Sequence, residues 1–407
     1  MKKILLIPDS TWGNESGHRS TQFLIKKLRS CNLEVGLYCS DDNRDSQSDI
    51  FLKNNKIHYF QKKQYRFFHQ VFEYFALKEF KKVIKAFQPD HILYFGAISN
   101  KTFTEYLIKE SIPYYYLPLT TEYYCLKDFA GLEEGTCYKC INGNYFNALK
   151  NNCIQSKNKY LVFLKKAFER YKSKERILKA NRIIAYSNSQ LEVLEKYGVD
   201  KDISSLVPIF FDQDNLNNIK TTKGDYFAVI GQCSVAKGWH LIPEIIRNTS
   251  GIKFKLIIYK DSVAKNFIKK YSLQPYIESG IIEIISNLAE HEDVLNVIAK
   301  SKAVIVPSIY PTTGEFALLE SMGLSKPVLV FDAGIHKEIF IDRENALVSS
   351  IGDIQKFSKD IEDLSNDDEL WTVLSHGAFK AFNQITDFKN FDSSMNDILI
   401  NNIKNAN

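Results

Sequence analysis

The sequence predicts an α/β fold of two doubly wound parallel-sheet domains, on three observations. Short apolar runs alternate with amphipathic helical stretches twice over, the mark of parallel sheets assembled from βαβ units. At 407 residues the chain exceeds what one hydrophobic core usually serves. A seam falls in Val207-Pro208-Ile209-Phe210-Phe211-Asp212, which a polar stretch from Gln213 to Asp225 follows.

In the first half the expected strands are 3–7, 34–39, 91–95, 114–118 and 183–187. Between them, 20–29 and 68–87 carry apolar residues at helical spacing. The second half repeats the pattern, with strands at 226–231, 255–259, 282–285, 303–307 and 328–331. Its helices are expected at 241–247, 264–271, 293–300, 316–323 and 354–364. The first domain then covers 1–211, with a cysteine-rich insert at about 125–153 and a closing C-terminal helix at 380–407. The second covers 212–379, and there is no internal repeat of solenoid period.

Composition narrows the partners. With 44% hydrophobic and 25% charged residues the chain reads as an ordinary globular protein, and a net charge of +5 is too mild to argue for nucleic acid. That charge is compatible with an anionic substrate or an anionic membrane surface. The apolar run Ile4 to Ile7 is ended by Pro8, Asp9 and Ser10, too early for a signal peptide, and no stretch approaches the roughly 20 apolar residues of a membrane span. A cytoplasmic protein is expected, with peripheral contact at the inner face of the membrane left open. Two basic, aromatic-rich stretches, 59–87 and 157–179, bear on that question. Each is either a helix on a membrane surface with lysines towards anionic lipid, or a half-buried domain helix with a solvated lysine face.

Ligands of such sheets bind beyond the carboxyl ends of the strands. The most informative stretch runs from Val306 to Glu338, VPSIYPTTGEFALLESMGLSKPVLVFDAGIHKE. A strand that ends in a loop of small and hydroxyl residues and then opens a helix presents free N–H groups and a positive dipole end, which suits a phosphate. The segment GQCSVAKG at 231–238 also follows a strand and precedes a helix, so Lys237 is expected to reach a phosphate lying at that helix start. A nucleotide-linked donor is the leading ligand.

With these motifs the chain resembles the retaining glycosyltransferases of the GT-B fold, the large "glycosyl transferases group 1" type of family 4. The resemblance spans nearly the whole length. Ala185-Tyr186-Ser187 with VPIFFD is similar to that family's strand and interdomain linker, GQCSVAKG to its GR…KG phosphate loop, and VPSIYPTTGEFALLESMGLSKPV to its acidic motif. It implies two Rossmann-like domains facing across a cleft, with acceptor on the N-terminal side and nucleotide sugar on the C-terminal side. It also implies transfer of a sugar from a nucleotide diphosphate sugar (a UDP- or GDP-sugar) to a glycan or lipid-linked glycan in cell-surface polysaccharide synthesis. Catalysis would need no cofactor.

Site residues follow from the same resemblance. Glu320 would bond the donor's ribose hydroxyls, since an ionised carboxylate accepts from two vicinal hydroxyls at once. Lys237 would bind phosphate, with Gly231, Gln232 and Gly238 completing its loop, and the backbone around Gly314, Phe316 and Ala317 would hold the distal phosphate. Gln232 replaces the family's usual arginine and removes a bidentate positive fork. Thr312 stands eight positions before Glu320, where the family usually has its first glutamate. Glu315 is one substitute for it, and direct bonding of the sugar by Thr312 and Thr313 is the other. The turn holding Gly13, Gly17 and His18 resembles the family's glycine-bearing turn, or is a generic β1–α1 turn. Where many relatives carry a His-Asp pair, this chain has Thr120-Thr121-Glu122, and Glu122 is expected to orient or polarise the acceptor. Retention then needs no enzyme nucleophile, because the leaving phosphate takes the acceptor proton on the same face.

Cys125, Cys137, Cys140 and Cys153 suit a structural zinc site, four thiols with a central Cys-x-x-Cys. Thiols in a flexible loop, or a redox pair at Cys137 and Cys140, are the alternatives. Asp212-Gln213-Asp214 has the form of a metal-binding DxD, but on a linker chance explains it better. A nucleotide-sugar epimerase or hydrolase, and a catalytically degenerate nucleotide-sugar binder, share the fold. A zinc knuckle on nucleic acid is disfavoured by the charge balance between Cys125 and Cys153, where Lys127, Lys139 and Lys150 face Asp128, Glu133 and Glu134.

Overall fold

The computed structural model describes residues 2–9, 12, 16–40, 44–62, 69–96, 98, 101–211, 213–286, 288, 290–386 and 388–398. Among them the strands in chain order are β1 Lys3–Pro8, β2 Glu34–Cys39, β3 His58–Gln61, β4 His91–Phe95, β5 Tyr114–Leu117, β6 Gly131–Leu132, β7 Gly135–Thr136, β8 Arg182–Ala185 and β9 Ser204–Leu206. The series continues with β10 Tyr226–Val229, β11 Lys253–Ile257, β12 Ile282–Ile285, β13 Ala303–Val306, β14 Val328–Phe331 and β15 Leu347–Ser349.

The chain divides into two compact units, each with its own parallel sheet. The first comprises Met1–Asp128, Lys139–Phe210 and Phe388–Asn407, and the second Phe129–Tyr138 and Phe211–Asp387. In the first the strand order is β3-β2-β1-β4-β5-β8-β9, and in the second β12-β11-β10-β13-β14-β15. Both orders reverse direction beside their first strand, between β1 and β4 and between β10 and β13, and such a switch point leaves a crevice at the carboxyl ends of the strands. The central strands are buried along their length, as sheets covered on both faces require. The expected α/β class with two doubly wound sheets is therefore the observed one.

The seam falls between two adjacent phenylalanines. Phe210 packs its ring against Phe95, Tyr186 and Phe391 in the first unit. Phe211 packs against Phe316 and Phe382 in the second. The helix Phe388–Asn396 belongs to the first unit, where Asp392 pairs with Lys27 at 2.9 Å.

The insert departs from expectation. Its segment Phe129–Tyr138, a short antiparallel hairpin of β6 and β7, is grouped with the second unit and not with the domain from which it emerges. Among the described residues no helix is long and apolar enough to cross a membrane.

Candidate active site

The loops after β10 and β13 converge at the switch point of the second sheet. Ala236 accepts a hydrogen bond from the Ile309 N–H at 3.0 Å, and the Gly238 backbone lies so close to Pro307 that a Cβ there would sit 1.7 Å from its carbonyl oxygen. With φ of +70° as well, position 238 requires glycine. Gly231 has φ of +133° and starts the same loop, while Gln232 is exposed. The helix that follows begins only at Ile242, after two turns, so Lys237 does not stand at a helix start as the sequence suggested.

Lys237 instead turns towards the loop after β13. Its ammonium donates to the Glu315 carboxylate and, at 3.2 Å, to the Tyr310 hydroxyl, while lying 4.7 Å from the Tyr310 ring centre. Glu315 also accepts from the Ser308 hydroxyl at 2.8 Å, and its second oxygen lies 3.4 Å from Nε2 of the buried His336. Nδ1 of His336 faces the Phe331 carbonyl at 2.9 Å, and since a carbonyl only accepts, that nitrogen carries a proton. Side-chain exposure is 15% for Lys237 and 6% for Glu315. Burial opposes charge on Lys237, but the Glu315 carboxylate and Tyr310 outweigh it and hold its pKa above the ordinary lysine range. Burial likewise works against the Glu315 carboxylate, yet Lys237 and His336 bring its pKa down to about 2. The outcome is a fixed ammonium at the carboxyl end of the sheet.

Glu315 is the residue that precedes the helix Phe316–Gly323, but its side chain makes no cap hydrogen bond because Lys237 and Ser308 engage it. Thr312 is fully buried. Its hydroxyl accepts from the Gly314 N–H at 3.4 Å, and its carbonyl accepts from the Ile335 N–H at 3.0 Å. Gly334 passes so near that a Cβ would meet the Thr312 nitrogen at 2.4 Å. Thr312 thus shapes its loop from within, and Thr313 is buried beside it. Gly314, with φ of +135°, turns the chain into the helix at Phe316 and Ala317. Glu320, only 2% exposed in the middle of that helix, has Oε1 at 2.8 Å from Nε2 of His291, which opens the helix His291–Ala299.

The hairpin from the insert covers this loop pair. Thr136 donates its hydroxyl to the Ile309 carbonyl at 2.7 Å, Phe129 stacks edge-on against Tyr310 with centroids 5.4 Å apart, and His240 Nε2 lies 3.3 Å from the Glu133 carbonyl. Gly131 lies against the lysine loop so tightly that a Cβ would come within 2.7 Å of the Ala236 Cα.

In the first unit, Glu122 lies beyond the carboxyl end of β5. Its Oε1 is buried with no hydrogen-bond partner among the described residues. Burial, then the Asp9 charge, push its pKa up to about 8, with Arg170 opposing them. Thr121 is buried and donates to the Asp128 carbonyl at 2.9 Å, and Arg170 pairs with the Asp128 carboxylate at 2.8 Å. Gly96, at φ of +103° after β4, makes room for Asp9, whose Oδ2 would lie 2.0 Å from a Cβ at 96. Gly17 and His18 fall in the first turn of the helix Ser16–Ser30, not in a loop before it. Gly13 and Asp212 lie outside the described residues.

The cysteines are divided between the units. Cys125, Cys140 and Cys153 belong to the first and Cys137 to the hairpin of the second, all as thiols. Among the described residues no three His, Cys, Asp or Glu side chains are gathered as a metal site requires.

Tyr310, Ser308, His336, His291 and the hairpin were not singled out from sequence. His336 lay inside the GIHKE turn and was open to notice, whereas nothing at His291 marks it as the partner of Glu320.

Comparison with known proteins bears on the same loops. Residues 212–380 match the family described as "Glycosyl transferases group 1", so the second half of the chain carries a domain of that type. No curated protein matches the chain by sequence. Similar solved structures include HepE of Anabaena in complex with UDP, with 14% identity, a TM-score of 0.65, and cover of 98% of this chain and 99% of that one. A glycosyltransferase from Rickettsia africae gives 14% identity and a TM-score of 0.72 over 100% of both chains. A point mutant of TarM from S. aureus, in complex with Fondaparinux, alpha-GlcNAc-glycerol and UDP, gives 11% and 0.67 over 98% of this chain and 100% of that one. At these identities the likeness is one of fold, and the fold is GT-B.

Proposed function

We propose that this chain, with its glycosyl transferases group 1 domain, is a retaining hexosyltransferase of family 4 type. It would move a sugar from a nucleoside diphosphate sugar, UDP-linked before GDP-linked, to a glycan or lipid-linked glycan in cell-surface polysaccharide synthesis. The observation that carries this reading is the buried ammonium of Lys237, held charged by Glu315 at the switch point of the sheet in the matched domain. A fixed positive charge there favours the state in which negative charge grows on a leaving diphosphate. HepE bound to UDP, over a similar fold, supports uridine as the base.

In the proposed reaction the bond between the anomeric carbon and the diphosphate oxygen breaks while the acceptor oxygen bonds to that carbon on the same face. The acceptor's proton passes to the departing phosphate oxygen, so no side chain is left alkylated or protonated. Lys237 neutralises the departing diphosphate, and Glu315, Tyr310 and Ser308 hold Lys237 in place. Glu320, oriented by His291, accepts from the ribose hydroxyls. In the first unit Glu122, kept neutral near pH 7 by burial, would donate a hydrogen bond to the acceptor. Because Lys237 meets the leaving charge, turnover should persist in the presence of a chelator, on the cytoplasmic side where nucleotide sugars are made.

The test is ligand-induced thermal stabilisation across UDP, GDP and their sugars, since a ligand bound only by the folded state raises Tm. UDP is expected to shift Tm by several degrees. Lys237→Ala alone would strand the buried Glu315 carboxylate, at about 3–5 kcal/mol. The double variant Lys237→Met/Glu315→Gln keeps the volume and removes both charges. Loss of the UDP shift in that variant and in Glu320→Gln, each still melting cooperatively, is the expected result, and a full shift in both overturns the assignment. Release of free sugar from UDP-sugar without acceptor, at the rate of transfer, would point to a hydrolase instead.

A further inference from the structure

The helix Lys159–Leu178 in the first unit is apolar on two faces. Phe163, Ser173 and Ile177 face inward and are buried. The outward face carries Tyr160 at 72% exposure, Leu161 at 68%, Leu164 at 63%, Phe168 at 63% and Tyr171 at 69%. At 3.6 residues per turn these five fall within an arc of roughly 100°. Phe146, 67% exposed, packs against Phe163 beside them. Helices at protein surfaces normally turn charge outward, and no other helix among the described residues shows so many large apolar side chains to solvent.

Charge identifies what covers this face. Residues 157–179 contain seven lysines and two arginines against two glutamates. Lys165 and Lys172 flank the stripe on one side, and the Lys172 ammonium lies 5.6 Å from the Phe168 ring centre. Lys157 and Lys179 are exposed beyond its two ends. A second copy of the chain seated on the stripe would set this positive excess against an identical one, whereas an anionic lipid surface complements it. The helix does not have the composition to cross a bilayer. It does have that of a helix lying in the interface, apolar side chains down and lysine ends reaching headgroups.

We propose that the face Tyr160–Leu161–Leu164–Phe168–Tyr171 docks this protein on an anionic membrane surface. The inference does not depend on the donor assignment, because lipid binding is measured without substrate.

Sedimentation with vesicles of phosphatidylcholine alone, or of phosphatidylcholine with phosphatidylglycerol, tests it on the full chain. Partitioning at least about tenfold stronger onto the anionic vesicles, and weakened by salt, is expected. The triple variant Leu161→Gln/Leu164→Gln/Phe168→Gln alters only exposed side chains and should lose that partitioning at an unchanged melting temperature. Lys165→Glu/Lys172→Glu should lose it as well. Wild-type protein that stays in the supernatant with anionic vesicles, or a triple variant that pellets like wild type, overturns the proposal. So does a vesicle-free dimer that the triple variant dissociates while neither protein binds lipid, which would make the face a contact between copies.

Discussion

Two glutamates at the carboxyl ends of strands have opposite fates, and their neighbours decide which. Glu315 is buried beside an ammonium and a histidine, and its pKa is brought down to about 2. For Glu122 burial, and after it the charge of Asp9, raises the pKa from 4.5 to about 8. The second case has a measurable sign. Between those two values the folded state holds a proton on Glu122 that the unfolded state has released, so stability falls as pH rises through that window. Below it both states are protonated and nothing is lost. Glu122→Gln should therefore match wild type in stability at about pH 3.5 and exceed it at about pH 9, by at least about 2 kcal/mol after allowing for relaxation. Chemical denaturation at the two values checks this. Equal stability at pH 9 would mean that Glu122 ionises freely, and its proposed role as a hydrogen-bond donor would fail with it.

The hairpin Gly131–Thr136 is the element that most changes how the site is understood. Its contacts to Ala236, Ile309 and Tyr310 brace the loops that carry Lys237 and its hydroxyl partner. Gly131→Ala adds a methyl group against backbone, which must push hairpin and loop apart at about 1–3 kcal/mol. Weaker UDP binding in titration calorimetry, with the cooperative melt retained, is the expected outcome, whereas unchanged binding would mean the hairpin is a passive cover. Little in the residue pattern announces this element, since four strand residues in a polar insert set up no periodicity. The sheets were far more legible. The strands 34–39, 91–95 and 328–331 lie where apolar runs placed them, because a strand covered on both faces has no polar side to obscure it. β3, β9 and β15 were missed; β3 and β9 lie at a sheet edge with half-exposed, polar sequences. Around these loops, Lys237, Glu315 and Glu320 stand in motifs open to reading in the sequence, while Tyr310 beside Lys237, His336 beside Glu315 and His291 beside Glu320 come from positions that only the fold brings together.

At the scale of the whole chain, the two units are not separable by a single cut. The path crosses from one to the other after Asp128, Tyr138, Phe210 and Asp387, so the second unit is assembled from two pieces of sequence. The segment that matches the transferase family, 212–380, contains only the larger piece. Expressed alone, 211–387 would leave Ala236, Ile309 and Tyr310 without Phe129, Gly131 and Thr136, uncovering apolar surface and the buried Ile309 carbonyl. A lost hydrogen bond of that kind costs about 1 kcal/mol, and the exposed aromatic contact adds a comparable amount. Fragment 211–387 should thus melt several degrees below a version with 129–138 fused through a glycine-serine linker, and UDP should stabilise the fused version more. Calorimetric melting of the two fragments with and without UDP decides the matter. Identical melting and identical UDP shifts would show that the second unit is complete without the hairpin. A gain from the fused segment would instead show that the insert, emerging from one sheet, belongs to the donor site of the other.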